Sequence, residues 1–239
     1  NEEAIEVMQA VGVMTGDADG NFNPDQNVTR AEMAVVMANL LDLRVSDFVG
    51  ASIPFTDVPE WAHAYVAACY ADGITAGTSA TTYGSDESVT SVQAALMMMK
   101  ALGYFQYASD FGSDWPLATT RQGNEIDLFD GVDSGVTQAM TRNDVAQLAL
   151  NTLEATMVDV SGEPAKVITP DGTTVTLGAA EYYDLTKTGT KHTAISNQKD
   201  SDDSTKYYVQ LGEDLYDGDL VKKSTSADDM GRPSIRWEY

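Results

Sequence analysis

Two arginines in this sequence stand where a guanidinium could bind an anion at the start of a helix. Arg30 follows Thr29 and Arg142 follows Thr141, and an apolar helical pattern begins after each pair. Only five of the first 157 residues are basic, so two of them at equivalent positions indicate a specific role. Such an arginine could hold a ligand carboxylate through two parallel hydrogen bonds, or could form a structural ion pair with a nearby acid. The pattern favours the ligand and leaves the ion pair open.

The threonines have a structural explanation of their own. Thr29 and Glu32 have the spacing of a capping box, in which the hydroxyl accepts from the third helical N–H and the glutamate reaches back. The same spacing occurs at two later helix starts, and the full set of predicted cap residues that support the site is Thr29, Glu32, Thr90, Gln93, Thr141 and Asp144.

Because the caps and not the arginines are predicted to stabilise the helix starts, Arg30→Ala and Arg142→Ala are expected to weaken binding without changing the melting temperature. Thr29→Ala is expected to lower stability by about 1 kcal/mol.

The elements that must position these residues repeat along the chain. A glycine that ends one helix lies 17 residues before the threonine that starts the next, at Gly12 and Thr29 and again at Gly73 and Thr90. A third, degenerate copy leads to Thr141. Each copy is predicted to be a helix, a loop rich in Gly, Asp and Asn, and a second helix. The predicted units are residues 1–50, 51–108 and 109–157.

The sequence changes character after Met157. Asp171-Gly172 lies between two β-prone runs, which is a strong signal for a hairpin over 166–177. Further strands are predicted at 207–211, 219–222 and 234–239, with a polar loop over 196–205. The predicted fold class is therefore α+β, with a helical part that ends in a helix over 142–157 and a small β-rich domain over 158–239. We expect this domain to be truncated and the chain to be a piece of a longer protein.

The charge excludes two classes of partner. The chain has 37 acidic and 14 basic residues, for a net charge of −23. A nucleic acid needs a positive surface, and no basic stripe is present, while an anionic membrane surface would repel the chain. No apolar run in the sequence approaches the roughly 20 residues that span a membrane. The single cysteine allows no intrachain disulfide and no cysteine-based metal site.

No other set of residues predicts an enzyme, a cofactor or a metal. Asp17, Asp19 and Asn21 have the spacing of a calcium loop, but Phe22 and Val28 occupy the positions where an EF-hand needs Gly and Glu. No nucleophile–base arrangement or phosphate-binding loop is recognisable, so we predict no catalytic residues, no cofactor and no metal.

Three further residues have predicted structural roles. Asp57 is predicted to cap the helix that follows it. Trp61 and Trp115 are predicted to be core residues, and the alternative is an aromatic at a groove rim that stacks on a sugar.

Together these motifs resemble S-layer homology domains in their usual set of three, over about residues 1–157. The residues that carry the resemblance are Val13, Gly20, Phe22, Pro24, Thr29, Arg30, Ala31 and Glu32 in the first repeat, Phe55, Asp57, Val58, Trp61, Gly73, Ile74 and Gly77 in the second, and Trp115, Thr141 and Arg142 in the third. The resemblance implies a pseudo-threefold helical bundle on a secreted protein of a Gram-positive-type cell surface, cell wall or S-layer.

The resemblance also implies a ligand. Domains of this family anchor surface proteins non-covalently to pyruvylated secondary cell-wall polysaccharide, which sits in grooves between neighbouring repeats. The pyruvyl ketal would offer its carboxylate to Arg30 and Arg142. Position 91 carries Ser in place of Arg, so the groove of the second repeat is expected to be weak. An alternative is a surface adhesin or host-interaction protein, in which residues 158–239 and the region beyond bind a surface or host protein and the repeats serve only as the anchor.

Overall fold

The computed structural model describes residues 1–188, 205–216, 218–225 and 234–239, and it confirms the mixed α+β class. The helices are α1 (Glu2–Ala10), α2 (Arg30–Leu40), α3 (Glu60–Ala71), α4 (Ser91–Ala101), α5 (Trp115–Glu125), α6 (Arg142–Glu154) and α7 (Leu211–Tyr216), with 3₁₀ turns at Val45–Phe48 and Ala108–Phe111. The strands are β1 (Val158–Val160), β2 (Lys166–Ile168), β3 (Thr174–Thr176), β4 (Tyr182–Asp184), β5 (Thr186–Thr188), β6 (Lys206–Tyr208), β7 (Val221–Thr225) and β8 (Ser234–Glu238). All strands follow the six long helices.

Helices α2, α4 and α6 begin where the threonines predict. Thr29 Oγ1 accepts from the N–H of Glu32 at 3.2 Å, and the Thr29 N–H donates to the Glu32 carboxylate at 2.8 Å. Thr90 and Gln93 form the same reciprocal pair at the start of α4. These bonds satisfy N–H groups that have no partner inside the helix.

The start of α6 differs from the predicted capping box. Thr141 Oγ1 accepts from the N–H of Asp144 at 3.2 Å, as predicted. The Asp144 carboxylate, however, accepts from the N–H groups of Asp133 and Ser134 in the preceding loop. Aspartate is one methylene shorter than glutamate, so it reaches the loop more easily than the helix start.

The helices share one core in which every repeat contacts the others. Helix α3 packs against α2, α5 against α4, and α1 against α6, so the first helix of each repeat lies on the second helix of another. The core is filled largely by methionine and leucine, and its fully buried members on the second helices include Met33, Met37, Met98, Met99, Leu148 and Leu153. Burial of these apolar side chains is the main stabilising contribution to this part of the chain.

A closed ring of three backbone hydrogen bonds joins the segments just before α2, α4 and α6. The N–H of Val28 donates to Met140 O at 3.0 Å, the N–H of Met140 to Val89 O at 2.9 Å, and the N–H of Val89 to Val28 O at 2.8 Å. All three residues are buried. Each helix start is therefore fixed by the other two repeats as well as by its own cap.

Helix α6 ends three residues earlier than predicted. Ala155 takes an extended conformation, with ψ of 147°, because the chain there pairs with a distant segment. The N–H of Met157 donates to Val209 O at 2.8 Å, and the N–H of Leu211 donates to Ala155 O at 3.1 Å. The prediction of helix to Met157 was wrong because this pairing is invisible in local periodicity.

The eight strands of the described residues form four two-stranded antiparallel sheets, which pair β1 with β4, β2 with β3, β5 with β6 and β7 with β8. The predicted hairpin is confirmed as β2–β3, and Gly172 has the positive φ of 85° that its turn requires. The strand predicted over 207–211 was wrong beyond Tyr208, because Leu211 begins α7. The loop predicted over 196–205 lies outside the described residues, apart from Thr205.

The β-rich part lies directly on the helical part. The N–H of Val158 donates to Leu102 O at 2.8 Å, and the Trp237 indole N–H donates to Glu3 at 2.5 Å. Lys222 pairs with Glu154 across the same boundary. The two parts therefore support each other, and residues 158–239 are not expected to fold as an isolated piece.

Candidate functional site

Arg30 is buried between two repeats and binds backbone carbonyls. Its side chain is 7% exposed. Nε donates to Tyr83 O at 2.9 Å, Nη2 donates to Ala76 O at 2.8 Å, and the guanidinium lies 4.9 Å from the centroid of the Tyr83 ring. A cation at this distance from an aromatic face is attracted to the ring. The first repeat thus inserts its arginine into the loop of the second.

Arg142 repeats this arrangement between the third and first repeats. Nε donates to Phe22 O at 2.7 Å, Nη2 donates to Thr15 O at 2.6 Å, and the guanidinium lies 4.7 Å from the Phe22 ring centroid. No ion pair among the described residues involves Arg30 or Arg142. The partners of each arginine are two carbonyl groups and an aromatic ring. They are not the acidic residue that the structural alternative drawn from the sequence required.

Ser91 occupies the equivalent position in the second repeat. Its hydroxyl donates to Ser134 O at 3.1 Å, and its N–H donates to Gln138 O at 3.1 Å. The short side chain reaches the loop of the third repeat but brings no charge to it. The absence of arginine at position 91 therefore affects the contact between the second and third repeats, and the loop of the second repeat still receives Arg30.

A cleft of about 390 Å³ opens beside Arg30, between the loop of the second repeat and α4. The residues that line it are Arg30, Ile74, Thr75, Ala76, Gly77, Thr78, Gln93, Leu96, Met97, Lys100 and Trp115. Two of these are cations and none is an acid, although the chain as a whole carries a net charge of −23. The cleft is thus a local positive site on a negative protein.

Lys100 is the site residue that sequence reasoning missed. Its Nζ donates to Gly73 O at 3.0 Å on the cleft wall, and partial burial lowers the pKa of the ammonium. Lys100 and Arg30 are far apart in sequence. They line the same cleft only because α4 forms the wall that faces the loop into which Arg30 inserts. The usable signal was the scarcity of bases, because Lys100 is one of only five in the first 157 residues.

Both tryptophans are more exposed than predicted. Trp115 is 40% exposed at the rim of the Arg30 cleft, and Trp61 is 57% exposed at the equivalent start of α3. The prediction of core residues was wrong, because each side chain lies at the first turn of its helix, outside the layer that packs inward. An exposed indole beside two cations and an apolar wall can stack on the apolar face of a sugar.

Asp57 fixes the loop that carries the cleft, and it does not cap α3 as predicted. Its carboxylate accepts from the N–H groups of Tyr83 and Gly84, each at 2.7 Å, and of Ser85 at 3.3 Å. Desolvation acts to raise the pKa of Asp57, but these N–H donors outweigh it and lower the pKa below 3.8. The carboxylate thereby holds the Tyr83 carbonyl in place for Arg30.

Asp57→Asn is expected to lower the free energy of unfolding by about 1–2 kcal/mol at pH 7, because the amide oxygen accepts less strongly than a carboxylate. Because folding lowers the pKa, the carboxylate stabilises the fold above the unfolded pKa, and this contribution is lost as the pH falls below 3.8. Urea denaturation at pH 7 and pH 3 tests this, since the gap between wild type and variant should shrink at pH 3. A gap that is the same at both pH values would contradict it.

Two other chemical candidates are structural. Asp17 accepts from the N–H groups of Asp19 and Asn21 and from the Asn23 amide, so its carboxylate closes a turn. Cys69 donates to Ala34 O in the core, and burial raises the pKa of its thiol to about 12. In the described part of the chain no cluster of His, Cys, Asp and Glu could hold a metal ion.

Two segments that form this geometry match the model of a known protein family. The model of the S-layer homology domain matches residues 1–34 and 54–90, which include the Arg30 helix start and the loop that receives it. Those two segments are similar to the S-layer homology domain. The match stops before α4 and does not include α5 or α6, so a third S-layer homology repeat stays a prediction from the sequence.

Several relatives of the chain are named as bacterial surface proteins. It is similar to the "Surface-layer 125 kDa protein" of Lysinibacillus sphaericus, with 35% identity over 42% of this chain and 8% of the relative. It is also similar to the "Surface layer protein" of Brevibacillus choshinensis, with 24% identity over 56% of this chain and 12% of the relative. An "Endoglucanase" of a Bacillus strain is 32% identical over 39% of this chain and 10% of its own length.

These comparisons indicate a secreted protein associated with the cell surface or cell wall. The chain spans less than a quarter of the length of each of these relatives. Within the described residues, no helix has both the length and the apolar character needed to span a membrane.

Proposed function

We propose that this chain anchors a surface protein non-covalently to the cell wall by binding pyruvylated secondary polysaccharide in clefts between repeats. The observation that carries the proposal is the Arg30 cleft, which gathers two cations and no acid in a strongly negative chain. A ketal carboxylate would meet Arg30 and Lys100, and the sugar ring would lie against Trp115. Arg142, with its equivalent contacts, would contribute a second site.

The helical part would be the pseudo-threefold bundle that the S-layer homology resemblance implies. The closed ring at Val28, Val89 and Met140 supports this arrangement, as do the matching contacts of Arg30 and Arg142. The anchoring role is not enzymatic. One relative is named as an endoglucanase, but this chain matches only 10% of its length.

A second candidate function is binding of another protein through the β-rich part. The β2–β3 hairpin exposes the paired residues Val167 and Val175, and Leu177, on one face and Ile168 on the other, all between 41% and 73% exposed. Apolar groups exposed together are typical of interaction surfaces. This candidate agrees with a surface adhesin or host-interaction protein whose repeats act only as the anchor.

A sedimentation assay with purified cell walls separates the two candidates. The whole chain should sediment with intact walls and stay in solution once acid has removed the polysaccharide. Val167→Ser, which changes the exposed apolar face of the hairpin, should leave sedimentation unchanged, whereas loss of sedimentation in this variant would favour the second candidate. Added salt should strengthen binding modestly, because it screens the repulsion between two anionic partners more than the close contacts in the cleft. Binding that survives removal of the polysaccharide would contradict the proposal.

A further inference from the structure

The two arginines have matching contacts, but the helices at equivalent places beside them differ in charge. In the Arg30 cleft the wall is α4, which presents Gln93 and Lys100. The helix expected to face Arg142 in the same way is α2, because Arg142 binds the loop of the first repeat as Arg30 binds that of the second. The comparison of α4 with α2 therefore decides what each cleft can bind.

The equivalent residues on the two helices are defined by their hydrogen bonds. Gln93 and Glu32 each close a capping box at the third position of their helix. Lys100 and Asn39, seven residues later, each donate to the loop that follows the first helix of their own repeat, Lys100 to Gly73 O at 3.0 Å and Asn39 to Val13 O at 3.4 Å.

The substitutions change the charge that a ligand would meet. The Arg30 cleft has two positive residues and no acid, for a sum of +2. At the equivalent positions for Arg142, residue 32 is an acid, Glu32, and residue 39 is a neutral amide, Asn39. Together with Arg142, these residues carry a net charge of zero. An anion beside Arg142 would gain one charge-assisted contact and lose part of it to the nearby carboxylate.

We infer that the chain has two unequal anion sites, and that Lys100 makes the Arg30 cleft the stronger and carboxylate-selective one. The inference rests on the proposed function and specifies its ligand as a sugar that carries one carboxylate. Arg30 already donates to two carbonyl groups, so Lys100 is the more adaptable of the two cations: its flexible ammonium can turn from Gly73 O toward the ligand. Lys100 is thus the specificity-determining residue of the cleft.

Reciprocal substitutions in the whole chain test this inference. The probe is a methyl glycoside that carries a pyruvyl ketal, compared with its neutral methyl ester by isothermal titration calorimetry. Lys100→Asn should weaken the stronger site about 10- to 100-fold, the effect of one charge-assisted hydrogen bond. Glu32→Gln combined with Asn39→Lys should strengthen the weaker site by a similar factor. Both changes install residues that the equivalent repeat already carries, so the caps and loop contacts are retained.

The controls separate this inference from the proposed function. Arg44→Gln removes an equal charge from an exposed side chain outside the cleft and should leave both affinities unchanged. The neutral ester should bind the stronger site at least tenfold more weakly than the acid. Two equal sites or an unchanged affinity in Lys100→Asn would overturn the inference and leave the anchoring function standing. Failure of the wild-type chain to bind walls would overturn both.

Discussion

Arg30→Ala is expected to destabilise the fold by about 2–4 kcal/mol and to abolish binding in the Arg30 cleft. The buried guanidinium bridges two repeats through Tyr83 O and Ala76 O, and it lies over the Tyr83 ring. Its removal leaves a buried carbonyl without its donor and opens a cavity. This changes the expectation from the sequence alone, which was a loss of binding with an unchanged melting temperature.

Measurement of both stability and binding is needed to interpret this variant. Chemical denaturation gives the free energy of unfolding, and wall sedimentation of the folded fraction gives the binding. Arg30→Lys should restore part of the binding but little of the stability, because an ammonium lacks the planar fork that reaches two carbonyls. Arg44→Ala should change the free energy of unfolding by less than about 0.5 kcal/mol, as is usual for an exposed site.

Thr29→Ala provides a second comparison at the adjacent residue. It removes a capping hydrogen bond and should cost about 1 kcal/mol with little loss of binding by the folded fraction. If Arg30→Ala proves no more destabilising than Thr29→Ala, the carbonyl contacts of the guanidinium contribute little to the fold.

Gly103→Ala is expected to be the most damaging glycine substitution at a helix end, at about 3–5 kcal/mol. Gly103 lies two residues after the end of α4 and has a φ of 103°. Residues with a side chain rarely adopt this conformation. A Cβ there would lie 2.1 Å from Val158 O, and this close approach brings the β-rich part onto the helical part. The backbone would have to move and would strain the hydrogen bond between the Val158 N–H and Leu102 O.

The matched control for this variant is Gly12→Ala. Gly12 occupies the same position after α1 and has φ of 74°, but an added Cβ would have no atom within 4 Å. It should therefore cost only the backbone strain, about 1–2 kcal/mol. Guanidinium denaturation of both variants compares the cost of backbone strain alone, at Gly12, with the cost of strain and the clash with Val158 together, at Gly103. Equal losses would show that the close approach to Val158 does not hold the two parts together.

Local features were predictable from the sequence because the interacting residues are neighbours. The capping boxes at Thr29 and Thr90 and the turn at Gly172 depend on residues within a few positions of one another. Lys100 and Trp115 could not be assigned to the Arg30 cleft, because only the packing of α4 against both α2 and α5 brings these residues together. The partners of Arg30 are backbone carbonyls, which every residue has, so no sequence pattern distinguishes them.

The hydrogen-bond ring at Val28, Val89 and Met140 has a mechanical consequence for an anchor. In an open array of repeats the terminal units have one neighbour and fray first. Here every repeat has two neighbours, because the bond from Val28 to Met140 joins the first repeat to the third. A pull on α6 would therefore be passed directly to the first repeat as well as to the second, and all three repeats would share the load as long as the ring stayed closed.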